Sequence, residues 1–397
     1  MRKMKIYLLL LFTCVLLTEK GFCQEQNNPI STAVPFLLIA PDARSGGMGD
    51  NGVSTTPDVY SMYWNPAKYA FEDKQFGVGI GYVPWLRGLV NDIGLSSIAA
   101  FWKFGDKQAV AMSLRFFSMG SVTFTNDIGQ ELGDVKPNEW TIDATYARKF
   151  SREFSGAVAG RFIYSNLVPV QLGNNLENVR PGTSVAADIA LYYHHEMTIS
   201  GLTGAYINFG LDISNIGAKI SYSSVSNIRD FIPTNLRLGP SLTMDIDEYN
   251  RLSLSLDLNK LLVPTPPIKV KDSVSGNYVI TKGMDNNVQV VQGMLQSFYD
   301  APYGFKEEIQ EIDLSFAAEY WYNKLFAIRA GYFYESKYKG DRQFFTLGAG
   351  LRYNVFGLDF SYLIPVKNNN PLQNTMQFTL LFNFEQVTKK DKQQSKE

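Results

Sequence analysis

From Leu252 to Asn259 every even position is leucine and every odd one is polar (Ser253, Ser255, Asp257, Asn259). Val110, Met112, Leu114 and Phe116 alternate in the same way with Ala109, Ala111, Ser113 and Arg115. Phe345, Leu347, Ala349, Leu351 and Tyr353 stand opposite Thr346, Gly348, Gly350 and Arg352. Near the C-terminus Met376, Phe378, Leu380, Phe382 and Phe384 interleave with Gln377, Thr379, Leu381 and Asn383. Successive side chains of a strand point to opposite faces, so a period of two marks strands with one apolar and one polar face. The pattern predicts fourteen such strands, at about 75–84, 91–104, 107–118, 138–150, 154–168, 183–194, 204–217, 233–245, 250–260, 309–322, 324–336, 342–354, 356–366 and 374–385.

A soluble sandwich also alternates. These segments, however, are long for ordinary globular strands. Many end in an aromatic residue (Tyr82, Trp102, Trp140, Tyr164, Tyr192, Trp321, Tyr334, Tyr353), as the interfacial girdles of a membrane barrel require. The connections alternate between tight turns, such as Gly105-Asp106-Lys107 and Asn323-Lys324, and long stretches at 119–137, 169–182, 218–232 and 261–308. Short periplasmic turns and long outer loops are the asymmetry of an outer-membrane barrel. In hydrocarbon every backbone N–H and C=O needs a partner, which strands obtain only by closing the sheet. The expected fold is therefore all-β, a 14-stranded antiparallel transmembrane β-barrel spanning 75–385, with 261–308 as its long outer loop.

The N-terminus breaks the pattern. Basic Arg2-Lys3-Met4-Lys5 precedes an apolar run from Ile6 to Leu17, and Gly21-Phe22-Cys23 places small residues around a cleavage point. This reads as a secretory signal peptide over 1–23; the apolar run is too short for a spanning anchor, and Phe22 is bulky for a lipoprotein site at Cys23. Both cysteines, Cys14 and Cys23, leave with it, so no disulfide or thiol chemistry is expected in the mature chain. Arg2, Lys3, Lys5 and Lys20 leave against Glu19, which moves the net charge from −1 to −4.

Residues 24–74 are too irregular for a barrel wall and are expected to fold inside it as a plug. Arg44, Asp50, Trp64, Asn65 and Pro66 are its marked residues, within the runs Ala43-Arg44-Ser45-Gly46-Gly47-Met48-Gly49-Asp50 and Tyr63-Trp64-Asn65-Pro66-Ala67. The glycines lack the Lys-Ser/Thr of a phosphate loop. On the first strand the inward positions are Gly77, Gly79 and Gly81, which leave room for a passing backbone. Further round, the polar parity carries Arg115, Asp143, Arg161, Asp188, Asp212, Arg237, Asp257, Asp313, Glu319, Arg329, Arg352 and Asp359. Mixed signs facing inward suit paired networks that brace a filled lumen rather than an open pore.

In the 261–308 loop, Pro264-Thr265-Pro266-Pro267 is followed at 287–299 by Val288, Val291, Leu295 and Phe298 at helical spacing. Such a helix could cap its own barrel or dock another protein. Candidate docking residues are Val288, Val291, Leu295, Phe298 and Tyr299 here, Phe231 in an adjacent loop, and Trp85, Leu86 and Arg87 in the first outer loop, the last three read as exposed; Trp and Arg are enriched at binding hot spots. The tail, 386–397, reads as a solvated periplasmic end.

Composition excludes more than it proposes. With 19% charged and 14% aromatic residues, disorder is excluded. Near-balanced charge argues against nucleic acid as a partner. The only histidines, His194 and His195, are adjacent in a strand and point to opposite faces, which disfavours a shared metal. No serine sits in a nucleophile elbow. No catalytic residue, metal or cofactor is expected, and the chain reads as a non-enzyme.

The stretch from Ala40-Pro41-Asp42-Ala43-Arg44 through Gly46-Gly47-Met48-Gly49 to Tyr63-Trp64-Asn65-Pro66-Ala67, with Pro84-Trp85-Leu86 and fourteen strands after it, resembles the PorV branch of the FadL-like outer-membrane barrels. The resemblance covers nearly the whole mature chain. It implies a Bacteroidota outer-membrane component of the type IX secretion system. Such a protein would work beside an SprA-type translocon and take cargo by its folded C-terminal signal domain. It would deliver that cargo to the attachment complex of the PorU sortase with PorQ and PorZ, the wall meeting outer-membrane lipid and lipopolysaccharide. The alternative implied by FadL proteins proper is a transporter of long-chain fatty acids or other hydrophobic molecules. The charged, small inward parity counts against such a greasy conduit.

Overall fold

Phe76 to Tyr82 on the first wall strand pair antiparallel with Phe384 to Phe378 on the last, and this contact closes a ring of fourteen strands. The computed structural model describes residues 27–385 apart from 89, 126–127, 168–179, 224–228, 274 and 369. The expected signal peptide and the 386–397 tail lie outside the described residues. In chain order the wall is β1 Phe76–Pro84, β2 Ile93–Phe104, β3 Gln108–Met119, β6 Asn138–Lys149, β7 Phe154–Asn166, β8 Gly182–Met197, β9 Gly204–Gly217, β10 Asn235–Asp245, β11 Asn250–Leu261, β14 Ile312–Tyr322, β15 Phe326–Tyr334, β16 Gln343–Tyr353, β17 Phe356–Pro365 and β18 Met376–Phe384. Each wall strand pairs antiparallel with its predecessor in this sequence. The other four strands form two hairpins beyond the wall, β4 Val122–Thr125 with β5 Glu131–Val135, and β12 Ile268–Lys271 with β13 Tyr278–Lys282. The sequence reading leaves both as loop, because four or five residues are too few for alternation to register.

The two faces divide as the alternation requires. Met112, Val185, Ile328 and Leu347 are among the exposed outward side chains. So much contiguous apolar surface would be a liability in water; in a bilayer it meets hydrocarbon. The inward set Asp143, Asp212, Asp257, Glu319, Arg329 and Asp359 is buried. Among the described residues no helix is long and apolar enough to cross a membrane. The closed ring of amphipathic strands is an outer-membrane β-barrel.

The interior is occupied by residues 34–71. Their short elements are the 3₁₀ turn Pro35–Leu38, helical turns Ala43–Gly46 and Ser61–Trp64, and a second 3₁₀ segment Pro66–Phe71. Two apolar clusters tie them to the wall. Toward the outer side Val34, Phe36 and Leu37 pack on Val83, Leu95, Phe117 and Ile163. Toward the periplasmic turns Val59, Tyr60, Met62 and Tyr69 pack on Ala99, Phe101, Tyr192 and Leu381. The approach is close. A Cβ built on Gly81 of β1 would lie 2.4 Å from the Pro41 carbonyl oxygen, and one on Gly331 of β15 2.1 Å from the Met48 carbonyl carbon. Only glycine fits against backbone at such distances. On β10 the pairing with β11 skips Gly239 and Pro240; proline has no N–H to offer the ladder. Beside this gap, Asp257 of β11 turns its carboxylate inward.

Candidate functional site

Two regions gather the residues singled out in the sequence: the filled lumen and the outer loops. In the lumen side chains close several of the irregular turns of 34–71. Asp42 accepts from Ser45 N at 2.9 Å, capping the first helical turn, and from the Trp64 indole at 2.7 Å. Its carboxylate satisfies both a helix start and the buried indole. Asn65 accepts from Ala67 N at 3.0 Å and donates to Val53 O and to Leu191 O on the wall, both at 2.9 Å. Pro66 follows as the first residue of its 3₁₀ segment, where a missing N–H costs nothing. Asp257 accepts from Gly52 N and Val53 N at 2.7 and 2.9 Å. The buried Lys68 ammonium donates to Gly52 O and Thr55 Oγ1. Arg44 donates to Glu319 on β14, and its remaining arm reaches Asp58 at 2.8 Å and Thr56 O at 3.0 Å. Asp50 instead sits half-buried in a left-handed conformation, φ 58°, and turns toward a cavity near the outer side.

Around these contacts many of the wall charges pair with one another. Arg161 bridges Asp143 and Asp188, the latter at 2.9 Å. Arg329 and Arg352 share Asp359 at 2.8 and 2.6 Å. Arg237 donates to Tyr63 O at 2.9 Å, under the Tyr63 and Trp64 rings. Buried ions need such partners. The lumen is thus filled by a hydrogen-bonded segment inside a paired ionic wall. His194 and His195 have separate partners, Asn208 at 2.8 Å and Glu153 at 2.7 Å.

The outer loops differ from the sequence reading in several respects. The helix in the long loop spans Val290–Gln296, seven residues rather than 287–299, so Val288 precedes it and is half-buried. The helix also sits the other way round from a capping helix. Its buried side is Gly293 and Gln296, while Val291, Leu295, Phe298 and Tyr299 are 66%, 64%, 49% and 64% exposed. Gly293 lets the helix settle on Phe231 and Pro264, whose ring atoms lie 3.0 Å from a Cβ built there. Phe231 is therefore half-buried beneath the helix, with Lys219 Nζ 3.9 Å from its ring centre. Gln296 donates to Asp285 O at 2.8 Å and to Asp300 at 3.3 Å; Asp300 in turn accepts from Thr265 N at 3.1 Å. Burial, with Glu308 and Glu311 nearby, pushes the Asp300 carboxyl up to about 6.

Trp85 and Leu86 also depart from expectation. Both are half-buried, folded over the barrel mouth onto Phe333, Phe344, Leu363 and Leu372; only Arg87 is exposed. A loop position suggests exposure, but here the mouth supplies an apolar floor. The sequence reading missed a second short helix, Phe305–Gln310, where Phe305 and Ile309 are 78% and 53% exposed. Their spacing of four after Gly304 is the signal that could have found it. Glu307 and Glu308 on its inner side, with Glu311, hold Lys339 and Lys260 in a buried network; Lys260–Glu311 and Lys339–Glu307 are both 2.6 Å.

A family model described as type IX secretion system protein PorV matches residues 22–268. No curated protein matches the chain. Among solved structures it is similar to the toluene transporter TodX of Pseudomonas putida (11% identity, 90% of this chain and 98% of that one, TM-score 0.47). It is also similar to the toluene transporter TbuX of Ralstonia pickettii (12%, 88% and 99%, 0.47) and to a FadL homologue of Pseudomonas aeruginosa (13%, 90% and 99%, 0.41).

Proposed function

The chain belongs to the PorV family of type IX secretion system proteins, and on that premise we propose that it is a non-enzymatic cargo carrier in the outer membrane. In this reading residues 1–23 direct export and 24–74 plug the barrel. The outer loops receive the folded C-terminal signal domain of exported proteins at an SprA-type translocon. The carrier then passes its cargo to the attachment complex of the PorU sortase with PorQ and PorZ. The observation that carries the proposal is the outward apolar face of Val291, Leu295, Phe298 and Tyr299. Isolated exposed apolar residues need no explanation, but a continuous set on an anchored loop suits a protein partner. The occupied lumen favours delivery at the surface over passage through the barrel.

Affinity isolation of the native protein from outer membranes tests this. Surface proteins with uncleaved C-terminal domains should co-purify, and deletion of 287–299 should abolish their recovery while the barrel still assembles. Recovery of barrels without exported cargo would instead indicate a scaffold. Bound lipid without cargo would overturn the carrier reading in favour of a hydrophobic-molecule transporter.

A further inference from the structure

Beside the N-terminal segment, under the outer loops, lies a cavity of about 630 Å³. Phe36 and Ile39 of the segment line it, with Trp85, Phe117, Phe344 and Leu363 from the first outer loop and wall. A volume of this size, apolar over most of its wall with a few grouped polar side chains, is the usual form of a small-molecule site. The polar group is Asp50, Asp313, Glu335 and Arg342, with Glu311 and Lys339 adjoining.

The charges do not balance. Glu335 takes Arg342 in fork geometry, Nε to Oε2 and Nη2 to Oε1 both at 3.0 Å, and accepts from the Arg342 backbone N as well. Lys339 is held by Glu307 and Glu311. Asp313 comes no nearer to Arg342 than 3.7 Å, beyond hydrogen-bond reach. Asp50 forms no ion pair among the described residues, and it lines the cavity together with that guanidinium. Two carboxylates thus face an apolar cavity beside one cation already engaged by a third. Of the other inward carboxylates, Asp143, Glu319 and Asp359 are met by arginine at close range, and Asp257 by two backbone N–H groups; Asp212, with Arg237 at 3.9 Å, resembles Asp313 but does not line this cavity.

We propose that the cavity binds a small amphipathic cation, with its apolar body against Trp85, Phe117 and Phe344 and a single ammonium head between Asp50 and Asp313. An ammonium supplies the missing charge and the missing donors together. A carboxylate head, as on a fatty acid, would add a third unmatched negative charge in a site of low dielectric. The inference does not depend on cargo carriage.

The test uses the full mature chain in lipid nanodiscs and two probes of equal length, 11-bromoundecylammonium and 11-bromoundecanoate. Bromine quenches nearby tryptophan, and subtracting the response of Trp85→Phe removes quenching of wall tryptophans by probe dissolved in the bilayer. The ammonium probe should quench Trp85 saturably and the carboxylate probe should not. The paired substitution Asp50→Asn with Asp313→Asn should weaken the ammonium response at least about tenfold, with unchanged heat-modifiable migration of the barrel. Equal responses to both head groups, no Trp85-dependent quenching, or an unaltered response in the paired variant would overturn the proposal. Should Trp85→Phe fail to assemble, native mass spectrometry of the parent and the paired Asn variant with the same probes separates the same outcomes.

Discussion

Arg44 of the N-terminal segment and Glu319 of β14 face each other side-on, with Nε to Oε2 at 3.0 Å and Nη2 to Oε1 at 3.2 Å. Both are buried, and Glu319 is shared with Arg329 at 3.6 Å. The pair is the most direct ionic tie between the interior segment and the wall. Removing one partner leaves the other with its second contact only, Arg329 for Glu319 or Asp58 for Arg44, and its cost should approach the about 3–5 kcal/mol of a broken buried pair, whereas replacing both with apolar groups of similar volume costs far less. Arg44→Met or Glu319→Gln should therefore lower the urea midpoint of the folded barrel strongly. Arg44→Met with Glu319→Met should recover most of the loss. A double variant as unstable as the sum of the singles would show that the pair does not act as a unit.

Gly331 makes a second kind of tie, through shape. With Met48 backbone 2.1 Å from the site of its absent Cβ, Gly331→Val must push the segment inward. The wall ladder of β15 does not need the glycine, since its φ lies outside the left-handed region. The variant should assemble as a closed barrel, with normal heat-modifiable migration. Its segment should become open to protease at Arg44, which is buried in the parent chain. Equal resistance would mean that the segment relaxes around the methyl groups.

These ties show what the sequence could and could not reveal. A period of two depends only on which face meets lipid, so β11 and β18 are legible directly from Leu252–Asn259 and Met376–Phe384. The hairpins β4–β5 and β12–β13 are not, because each strand is shorter than the window alternation needs. The helix at Val290–Gln296 shows its spacing in the sequence but not its orientation. That is set by Gly293 meeting Phe231 and by Gln296 finding Asp285 and Asp300, contacts distant in sequence or dependent on the loop's path. The burial of Trp85 and Leu86 is hidden for the same reason, since the apolar floor they cover is built from β15, β16, β17 and Leu372. The unequal charge count at Asp50 and Asp313 appears only when three separate segments meet.

Exposed apolar residues of the long loop separate stability from binding. Val291 and Leu295 bury little, so Val291→Asp with Leu295→Asp should shift barrel stability by no more than about 0.5 kcal/mol. On the carrier reading the same change should remove most co-purifying cargo. Gln296→Leu is the converse control: it leaves the outward face intact and unseats Asp285 and Asp300. It should raise protease sensitivity of 261–308 first. If the Asp pair leaves cargo recovery unchanged, the docking surface lies elsewhere on the outer face.

Asp300 gives the loop a pH dependence whose sign follows from its surroundings. Its carboxyl is raised from 3.8 to about 6 by burial first, and by Glu308 and Glu311, against the hydrogen bonds from Gln296 and Thr265 N. A folded-state value above the unfolded one means that the native loop holds its proton more tightly. The contribution to stability is fully present below about 4 and is lost as pH rises through about 6. Protease cleavage or amide exchange across 261–308 should therefore be slower at pH 5 than at pH 7, after correction for intrinsic rates. Asp300→Asn keeps an acceptor for Thr265 N without a titrating proton, and it should flatten the difference. A parent loop equally protected at both pH values, or an Asn variant with the parent's dependence, would show that Asp300 does not govern the loop's closure.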